Sequence, residues 1–399
     1  MKRIVGIAIL GFGTVGQGVY KIIKEKHDSI MYYTNAEIDI KKILVRNFNK
    51  EYKVEIDRNL LTNNFEEILN DDAIDIIVEV TSSIDQAKDM MVMAMNKGKD
   101  IVSANKAAIS KYFNELNDLA RDNNLHFLHE AAVAGGIPVL KPLGDLVMEN
   151  DITRVRGILN GTCNFILSKM TEEGEDYENV LKKAQELGYA EADPSSDVDG
   201  IDTLRKLRIL STMAFRQDVD ENDILLEGIS NIKACDIKNL AKLNRTIKLI
   251  GDAWVEDEKI KAIVQPVAVY SNSYFASVRE AYNSVTVYGD MVGELKFYGA
   301  GAGMLPTANA VTNDIIDILF DRQSKVRLGE GLNRQITKDE IKGDFYVRYN
   351  SEIISLDSFK RKKLTNESYL IKNCQYEKLK RALKKDSNSI IIRLESEDY

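Results

Sequence analysis

A glycine-rich turn near the amino terminus of this 399-residue chain has residue types and spacing that suit cofactor chemistry. The turn reads Gly11, Phe12, Gly13, Thr14, Val15 and Gly16. It fits the pattern G-x-G-x-x-G, whose glycines permit a tight turn, close approach of backbone to a pyrophosphate, and close helix–strand packing. An apolar strand precedes it, and the amino terminus of the following helix attracts phosphates. The pattern predicts nicotinamide dinucleotide binding, although plain strand-to-helix corners also use such glycines.

A cation lies where sites of this kind normally carry an acid. The ribose 2′-hydroxyl of NAD is usually held by an aspartate or glutamate at the end of the second strand. Here the end of that strand carries Arg46, with Lys50 and Lys53 nearby. A cation suits a 2′-phosphate, so the sequence favours NADP over NAD. The alternative is that Arg46 is a solvated surface charge.

A lysine beside several carboxylates forms the second candidate site. Five acids lie from Glu191 to Asp202, ahead of a predicted helix that carries Lys206. Because Asp202 and Lys206 are four residues apart, they can touch on one helix face, and the aspartate would orient the lysine and keep it protonated. A protonated lysine is a suitable proton donor to the alkoxide that develops during hydride transfer. Such pairs are also common on surface helices, and acidic loops are usually only solvated.

The elements that must position these residues begin with an alternation of strands and helices. Strands are predicted over residues 4–10, 38–45, 74–80, 99–102 and 126–129. The alternation is typical of a doubly wound α/β domain with a parallel sheet, predicted over residues 1–134. Lys106 follows the fourth strand, at the carboxyl edge where such sheets bind ligands. The alternative for Lys106 is a lysine in a surface loop.

The pattern changes near residue 135. Helices are predicted over residues 176–187, 201–215, 237–249 and 308–319, and strands over 154–159, 260–270, 284–288 and 294–298. This run is consistent with an α+β second domain over 135–330. A last module over 344–399 combines short strand candidates with a basic helix, 376–385.

The composition excludes several classes of protein. The net charge of −8 disfavours a nucleic-acid partner, and no apolar run approaches the ~18–20 residues that span a membrane. Three widely spaced cysteines fit neither a disulfide framework nor a zinc site, so we expect a reducing cytoplasm. With three histidines, a His-rich metal centre is not expected.

Several motifs together resemble one family. They are Gly11–Gly16, Ser103–Lys106, Glu130–Pro138, Asn160–Leu167, Gly188–Asp193, Asp197–Lys206 and Gly301–Thr307. In this order they resemble homoserine dehydrogenase, in the form without a fused aspartate kinase. The resemblance implies reversible, NAD(P)-dependent interconversion of L-aspartate 4-semialdehyde and L-homoserine in threonine and methionine biosynthesis. It also implies a homodimer formed by the region after residue 135.

On the substrate side, the resemblance assigns roles to four residues. Lys206 matches the family's proton-donor lysine, and Asp202 matches the acid beside it. Glu191 matches the residue that binds the substrate's amino group, and Asp197 matches another acid of the substrate site.

On the cofactor side, the resemblance assigns three more. Lys106 matches a lysine between cofactor and substrate, and Thr81 matches a residue near the nicotinamide. Gly303 matches a glycine that touches the cofactor from the far domain.

A sodium site is also implied by the resemblance. Glu130, Val133, Gly135 and Ile137 match positions whose backbone carbonyls hold the ion in the family. Carbonyl oxygens suit hard cations and need no particular side chains, so an ordinary strand-to-helix turn stays open as the alternative.

The tail departs from the family pattern. Many members end in a regulatory ACT domain, whereas only 56 residues (399 − 343) follow Gly343 here. Residues 345–349 resemble that domain's first strand and 390–394 its last. The Pro-Gly turn expected after the first strand is missing, and Asn350-Ser351-Glu352 takes its place. The sequence predicts a shortened ACT-like remnant without a working threonine site, or alternatively a plain oligomerisation tail.

Two competing functions remain open from the sequence. One is another two-domain NADP oxidoreductase acting on an amino-acid-derived semialdehyde or imine. The other is a nucleotide sensor without catalysis, which predicts loss of the proton donor. The presence of Lys206 argues against the sensor.

Overall fold

A computed structural model of the chain describes residues 3–322, 333–338, 340–350 and 352–396. Its strands are β1 (Arg3–Leu10), β2 (Ala36–Leu44), β3 (Leu61–Thr62), β4 (Ile76–Glu79), β5 (Asp100–Ser103), β6 (Phe127–Leu128), β7 (Ile152–Ile158), β8 (Leu225–Leu226), β9 (Arg245–Glu256), β10 (Lys259–Tyr270), β11 (Tyr282–Gly289), β12 (Gly293–Ala300), β13 (Gln335–Ile336), β14 (Lys342–Arg348), β15 (Arg361–Lys363), β16 (Ser368–Gln375) and β17 (Ile390–Leu394).

The helices complete the order of elements. They are α1 (Thr14–Glu25), α2 (His27–Thr34), α3 (Phe65–Leu69), α4 (Asp85–Asn96), α5 (Lys106–Lys111), α6 (Phe113–Asp122), α7 (Leu140–Leu146), α8 (Gly161–Glu173), α9 (Tyr177–Glu186), α10 (Ser195–Val198), α11 (Ile201–Phe215), α12 (Ala234–Ala241), α13 (Tyr274–Ser277), α14 (Met304–Leu319) and α15 (Tyr376–Leu383). Across the described part of the chain, none of them is long and apolar enough to cross a membrane.

The chain forms two units, each with its own sheet. The first unit comprises Met1–Glu149 and Gly299–Leu328, and the second comprises Asn150–Tyr298 and Gly329–Tyr399. Each unit combines two separate ranges of the chain, whereas the predicted domains over 1–134, 135–330 and 344–399 are each continuous. Those domain boundaries stay a prediction. The predicted end at residue 330 lies outside the described residues, as does Ser351.

The first unit contains a six-stranded sheet in the order β3-β2-β1-β4-β5-β6, and every pairing is parallel. Six successive residues of β1, from Val5 to Leu10, are buried, as expected for a strand covered on both faces. This sheet confirms the predicted doubly wound α/β fold.

Helix α14 returns to the first unit and packs against α1. The two helices approach closely because Gly18 has no side chain: a Cβ there would lie 2.7 Å from the Ala308 Cβ and the Met304 carbonyl oxygen. The amino termini of both helices therefore belong to one unit.

The second unit contains a mixed sheet in the order β12-β11-β7-β9-β10-β17-β14-β16-β15, and β8 and β13 also pair with β10. The helix predicted over 237–249 is wrong: α12 ends at Ala241, and Arg245 begins the long strand β9. β9 pairs with β7 on one side and β10 on the other, so its centre is buried on both faces. A short apolar run of this kind has no alternation that distinguishes strand from helix.

The C-terminal tail continues this sheet. Its four strands lie in the order β17-β14-β16-β15, and β17 pairs in parallel with β10 at Val267 and Ala268. The segment between β14 and β15 contains no helix in its described part. Tail residues Phe345 and Tyr376 share a hydrophobic cluster with Leu225 and Ile263, so the tail and the rest of the second unit have a common core.

Candidate active site

The glycine turn joins β1 to α1 at the carboxyl edge of the first sheet. Gly11 has φ +96°, which favours glycine, and a Cβ at Gly16 would lie 2.3 Å from the Gly11 carbonyl oxygen. A Cβ at Gly13 would meet nothing within 4 Å. Gly13 also begins α1 without any side-chain cap. The turn therefore leaves open backbone at a helix amino terminus, which is the arrangement that binds phosphates.

A buried glutamine, which the sequence reasoning missed, stabilises this turn. The Gln17 amide nitrogen donates to the carbonyls of Phe12 (3.4 Å) and Gly13 (3.2 Å). Its amide oxygen accepts from the Lys53 backbone N–H at 2.7 Å. A polar side chain on the buried face of an apolar helix is the sequence signal that could have indicated this role.

Arg46 is exposed just beyond the end of β2. Its guanidinium donates to the Gln86 side-chain oxygen at 3.3 Å. The side chain is thus accessible to an anion at this edge of the sheet.

A fully buried carboxylate at the end of β4 organises two loops at the same edge. One Glu79 oxygen accepts from the Thr81 N–H (2.8 Å) and hydroxyl (2.6 Å), and the other accepts from the Ser103 hydroxyl (2.8 Å). Burial raises the pKa of Glu79, and the bonds from Thr81 and Ser103 partly oppose that effect. The sequence reasoning missed this residue, whose signal is a single charge at the end of an apolar strand.

Lys106 begins α5, directly after this loop. Asn105 donates from its side chain to the Ser83 carbonyl at 2.6 Å, and its side-chain oxygen accepts from the Ala108 N–H. The loops that carry Thr81 and Lys106 are therefore tied together in the first unit.

Gly303 immediately precedes α14, with φ +124° and no side-chain cap on the helix. The expectation that it reaches the cofactor from a far domain is wrong in one respect. Gly303 belongs to the first unit, with the glycine turn, because α14 packs on α1.

The predicted sodium ligands lie in a tight turn after β6. The Glu130 carboxylate accepts from the N–H groups of Val139 (2.5 Å), Leu140 (2.7 Å) and Lys141 (2.8 Å), and burial raises its pKa. The Glu130 carbonyl accepts from the Val133 N–H at 3.3 Å. The described residues contain no cluster of three His, Cys, Asp or Glu that could hold a metal ion.

Gly135 closes that turn with φ +58°, and a Cβ there would lie 2.2 Å from the Gly301 carbonyl oxygen. Ile137 donates its N–H to the Ala134 carbonyl at 3.1 Å. The Asp314 carboxylate also lies at this turn, where it accepts from the Glu130 N–H at 2.9 Å. Backbone carbonyls of the turn are oxygen ligands of the kind that hard cations take. The sodium site stays a prediction.

In the second unit, Lys206 and Asp202 are both buried and adjacent. The Lys206 ammonium lies 2.8 Å from the Asp202 carboxylate and donates to the Leu159 carbonyl at 2.7 Å. Both residues are on α11, which begins after Gly200 at φ +86°. The contact predicted from their spacing is present. An ammonium held this way by a carboxylate and a carbonyl has a fixed direction.

Asn160 connects this pair to Asp197. Its side-chain nitrogen donates to Asp202 at 2.9 Å and to Asp197 at 2.7 Å, while its oxygen accepts from the Cys163 N–H and caps α8. The Cys163 thiol donates to the Asp197 carbonyl, and burial raises the pKa of that thiol well above its usual value. One asparagine thus brings Asp197, Asp202 and Lys206 into one hydrogen-bonded network.

Glu191 lies on an exposed turn after α9. Its carbonyl accepts from the Gln185 side chain at 3.0 Å, and the neighbouring Tyr189 carbonyl accepts from the Thr162 hydroxyl at 2.6 Å. Glu191 is exposed, whereas Lys206 is buried and Asp197 is half-buried in the network around Asn160.

Comparison with known proteins identifies the family. Residues 11–130 match the model described as "Homoserine dehydrogenase, NAD binding domain", and residues 138–316 match the model "Homoserine dehydrogenase". The homoserine dehydrogenase of Bacillus subtilis is 40% identical over 82% of this chain and 75% of its own length.

Solved structures agree. A homoserine dehydrogenase from Thiobacillus denitrificans superposes with a TM-score of 0.85 at 32% identity, over 99% of this chain and 100% of that one. A hyperthermophilic archaeal homoserine dehydrogenase in complex with NADPH gives a TM-score of 0.67 at 27% identity, over 81% and 100%. The chain belongs to the homoserine dehydrogenases, which are NAD(P)-dependent oxidoreductases.

Proposed function

We propose that the chain interconverts L-homoserine and L-aspartate 4-semialdehyde with Lys206 as the proton donor. The observation that carries this proposal is the buried contact between Lys206 and Asp202, 2.8 Å long and directed by the Leu159 carbonyl. A buried ammonium whose position is fixed by a carboxylate can act as a general acid that donates its proton in one direction.

In the reducing direction, the aldehyde oxygen gains negative charge as its carbon is reduced. The bound nicotinamide supplies the hydride. Lys206 donates its proton to the developing alkoxide, and Asp202 stabilises the ammonium before transfer. Asn160 donates to Asp202 and keeps that carboxylate in place. In the oxidising direction, Lys206 acts as the neutral amine and accepts the hydroxyl proton as hydride leaves homoserine for the bound nicotinamide.

Acidic side chains would hold the substrate's ammonium group. Glu191 is exposed on its turn, where it is accessible to a ligand, and Asp197 is held by Asn160. We assign Glu191 to the ammonium group and Asp197 to the same site. A substrate that lacks the amino group should then bind poorly.

The cofactor would bind at the carboxyl edge of the first sheet. Gly13 and the amino terminus of α1 would hold the pyrophosphate, while Thr81, Lys106 and Gly303 would hold the nicotinamide half. Arg46 pairs with a 2′-phosphate, which makes NADP the preferred cofactor. The NADPH complex of the archaeal relative supports this assignment.

Four further assignments belong to the same proposal. The carbonyls of Glu130, Val133, Gly135 and Ile137 hold a sodium ion, and the chain acts as a homodimer. The tail is an ACT-like remnant without a threonine site, so millimolar threonine should not inhibit. Free Cys163, Cys235 and Cys374 support a reducing cytoplasm as its location.

The experiment is oxidation of L-homoserine, followed by nicotinamide absorbance with NADP and with NAD. We expect turnover with L-homoserine, a lower KM for NADP than for NAD, and little turnover with 4-hydroxybutanoate, which lacks the amino group. Cofactor binding without turnover would indicate a sensor instead. Equal rates with 4-hydroxybutanoate would remove Glu191 from its role.

A further inference from the structure

The C-terminal tail has no part in this chemistry, yet it contacts a segment that packs on the residues around Asp197. We call that segment, residues 225–231, the strap. We call residues 195–200, which comprise the short helix α10 and the turn after it, the acidic loop. The strap begins as β8, which pairs in parallel with β10 at Ile263 and Val264, and the Glu227 N–H donates to the Val264 carbonyl at 2.8 Å. All these residues belong to the second unit.

The strap packs directly on the acidic loop. The Ile229 N–H donates to the Val198 carbonyl at 2.7 Å. A Cβ at Gly228 would lie 2.4 Å from the Val198 carbonyl oxygen and 2.6 Å from the Asp199 Cα, so a larger residue could not approach this closely. A displacement of the strap would therefore displace the backbone of Val198 and Asp199, directly after Asp197.

Helix α15 of the tail contacts the strap through two side chains. The Tyr376 hydroxyl donates to the Glu227 carboxylate at 2.9 Å. The Lys380 ammonium donates to the Leu226 carbonyl at 2.8 Å and lies 3.1 Å from the same carboxylate. Tyr376 is fully buried, and burial together with Glu227 raises the pKa of its hydroxyl, which therefore stays a neutral donor.

A second set of contacts fixes the far end of the strap. Arg348 of β14 donates to the Asn231 carbonyl at 2.6 Å and pairs with the fully buried Asp236 at 2.9 Å. The Asn231 side chain donates to the Ser387 carbonyl at 2.9 Å. Both ends of the strap are thus held by tail residues.

We propose that Tyr376 and Glu227 are positioning residues of the substrate site. The tail holds the strap, the strap holds the acidic loop, and the loop keeps Asp197 within 2.7 Å of the Asn160 side chain that also bonds Asp202. The tail thereby sets homoserine affinity without touching substrate. This inference rests on the proposed function only in naming homoserine as the ligand.

The test compares Tyr376→Phe with a matched control, Tyr349→Phe. Tyr349 is also a buried tyrosine of the tail. Its hydroxyl accepts from the Arg361 side chain, which belongs to the tail and not to the strap. Each variant loses one tyrosine hydroxyl. For Tyr376→Phe we expect the KM for homoserine to rise about fivefold, with the KM for NADP unchanged. Tyr349→Phe should leave both values at wild type. Equal homoserine KM values in the two variants would overturn the proposal.

Amide hydrogen exchange of the acidic loop decides the question independently of activity. In Tyr376→Phe, the amides of residues 195–200 should exchange several-fold faster than in Tyr349→Phe. If the wild type does not oxidise homoserine, the proposed function fails while this comparison still supports or overturns the positioning role. Equal exchange in both variants would contradict it.

Three further variants keep the test decisive if Tyr376→Phe does not fold. Glu227→Gln retains an acceptor for the Tyr376 hydroxyl, so it should raise the homoserine KM less than Glu227→Ala. Lys380→Met removes the contact to the Leu226 carbonyl from a side chain that is 42% exposed, so folding should be spared. A homoserine KM unaffected by Glu227→Ala and Lys380→Met would contradict the role of the strap.

Discussion

The candidate cofactor site of the first unit and the candidate substrate site of the second unit are formed by different kinds of atoms. In the first unit the cofactor edge depends on backbone and on missing side chains, as at Gly13 and Gly16. In the second unit the candidate substrate site depends on charged and polar side chains, and Asn160 joins the buried Lys206–Asp202 pair to the half-buried Asp197. A backbone-built site fails when atoms are added, whereas a side-chain-built site fails when functional atoms are removed. Substitutions in the two units should therefore have separable effects on cofactor binding and on turnover.

The largest expected effect is that of Lys206→Ala. Loss of the proton donor should lower kcat for homoserine oxidation about 10³-fold, while the Kd for NADPH stays near wild type. The control is Lys261→Ala, which removes another buried lysine of the second unit, paired with Glu256. Lys261→Ala should alter stability more than kcat. Near-normal turnover in Lys206→Ala would remove Lys206 from its role.

Substitutions of Gly13 and Gly16 should separate loss of cofactor binding from loss of stability in the first unit. Gly13→Ala adds a methyl group that meets no protein atom within 4 Å, so the protein should fold normally but bind NADPH about 10²-fold more weakly. Gly16→Ala forces a contact at 2.3 Å with the Gly11 carbonyl and should cost about 3 kcal/mol of unfolding free energy. Calorimetry and denaturant unfolding measure both. Unchanged NADPH affinity in Gly13→Ala would contradict the phosphate site.

Arg46→Ala should sharpen the cofactor assignment. Loss of a charge-assisted contact to the 2′-phosphate should raise the KM for NADP about tenfold and leave the KM for NAD unchanged. Lys97→Ala, which removes an exposed cation of the first unit on the turn after α4, serves as the control. Parallel changes for both cofactors would indicate that Arg46 does not read the phosphate.

Glu79→Gln should have the smallest effect on kinetics, about a threefold rise in the cofactor KM, because the amide replaces only part of the Thr81 and Ser103 bonds. Its effect on stability depends on pH. The folded-state pKa of Glu79 is raised by burial, so the stability of wild type relative to the variant is greatest near pH 4 and falls as pH rises through the folded pKa. Denaturant unfolding of both proteins from pH 4 to pH 8 checks the sign. A relative stability that rises with pH would contradict a raised pKa.

Local patterns in the sequence were sufficient to predict much of the candidate cofactor site. The turn from Gly11 to Gly16 is contiguous, and the apolar run of β1 identifies a buried strand. Asp202 and Lys206 are also local, since helix geometry alone brings them together. In each case neighbours in the sequence determine the contact.

The remaining features depend on residues distant in the sequence. Asn160 reaches Asp197 and Asp202 from another element, and Glu79 meets Ser103 from the adjacent strand. Strand β9 was read as helix because its burial comes from two flanking strands. Gly303 was assigned to a far domain because the return of α14 to the first unit has no local signature.

In the proposed reaction, hydride passes from the hydroxyl-bearing carbon of L-homoserine to the nicotinamide while Lys206 accepts the hydroxyl proton. The most direct measurement uses L-homoserine deuterated at that carbon, with mass spectrometry of the reduced cofactor. We predict that the wild type transfers the deuterium to the cofactor and that Lys206→Ala transfers almost none in the same time, although it binds NADPH. A reduced cofactor without deuterium, or equal transfer by Lys206→Ala, would contradict the account.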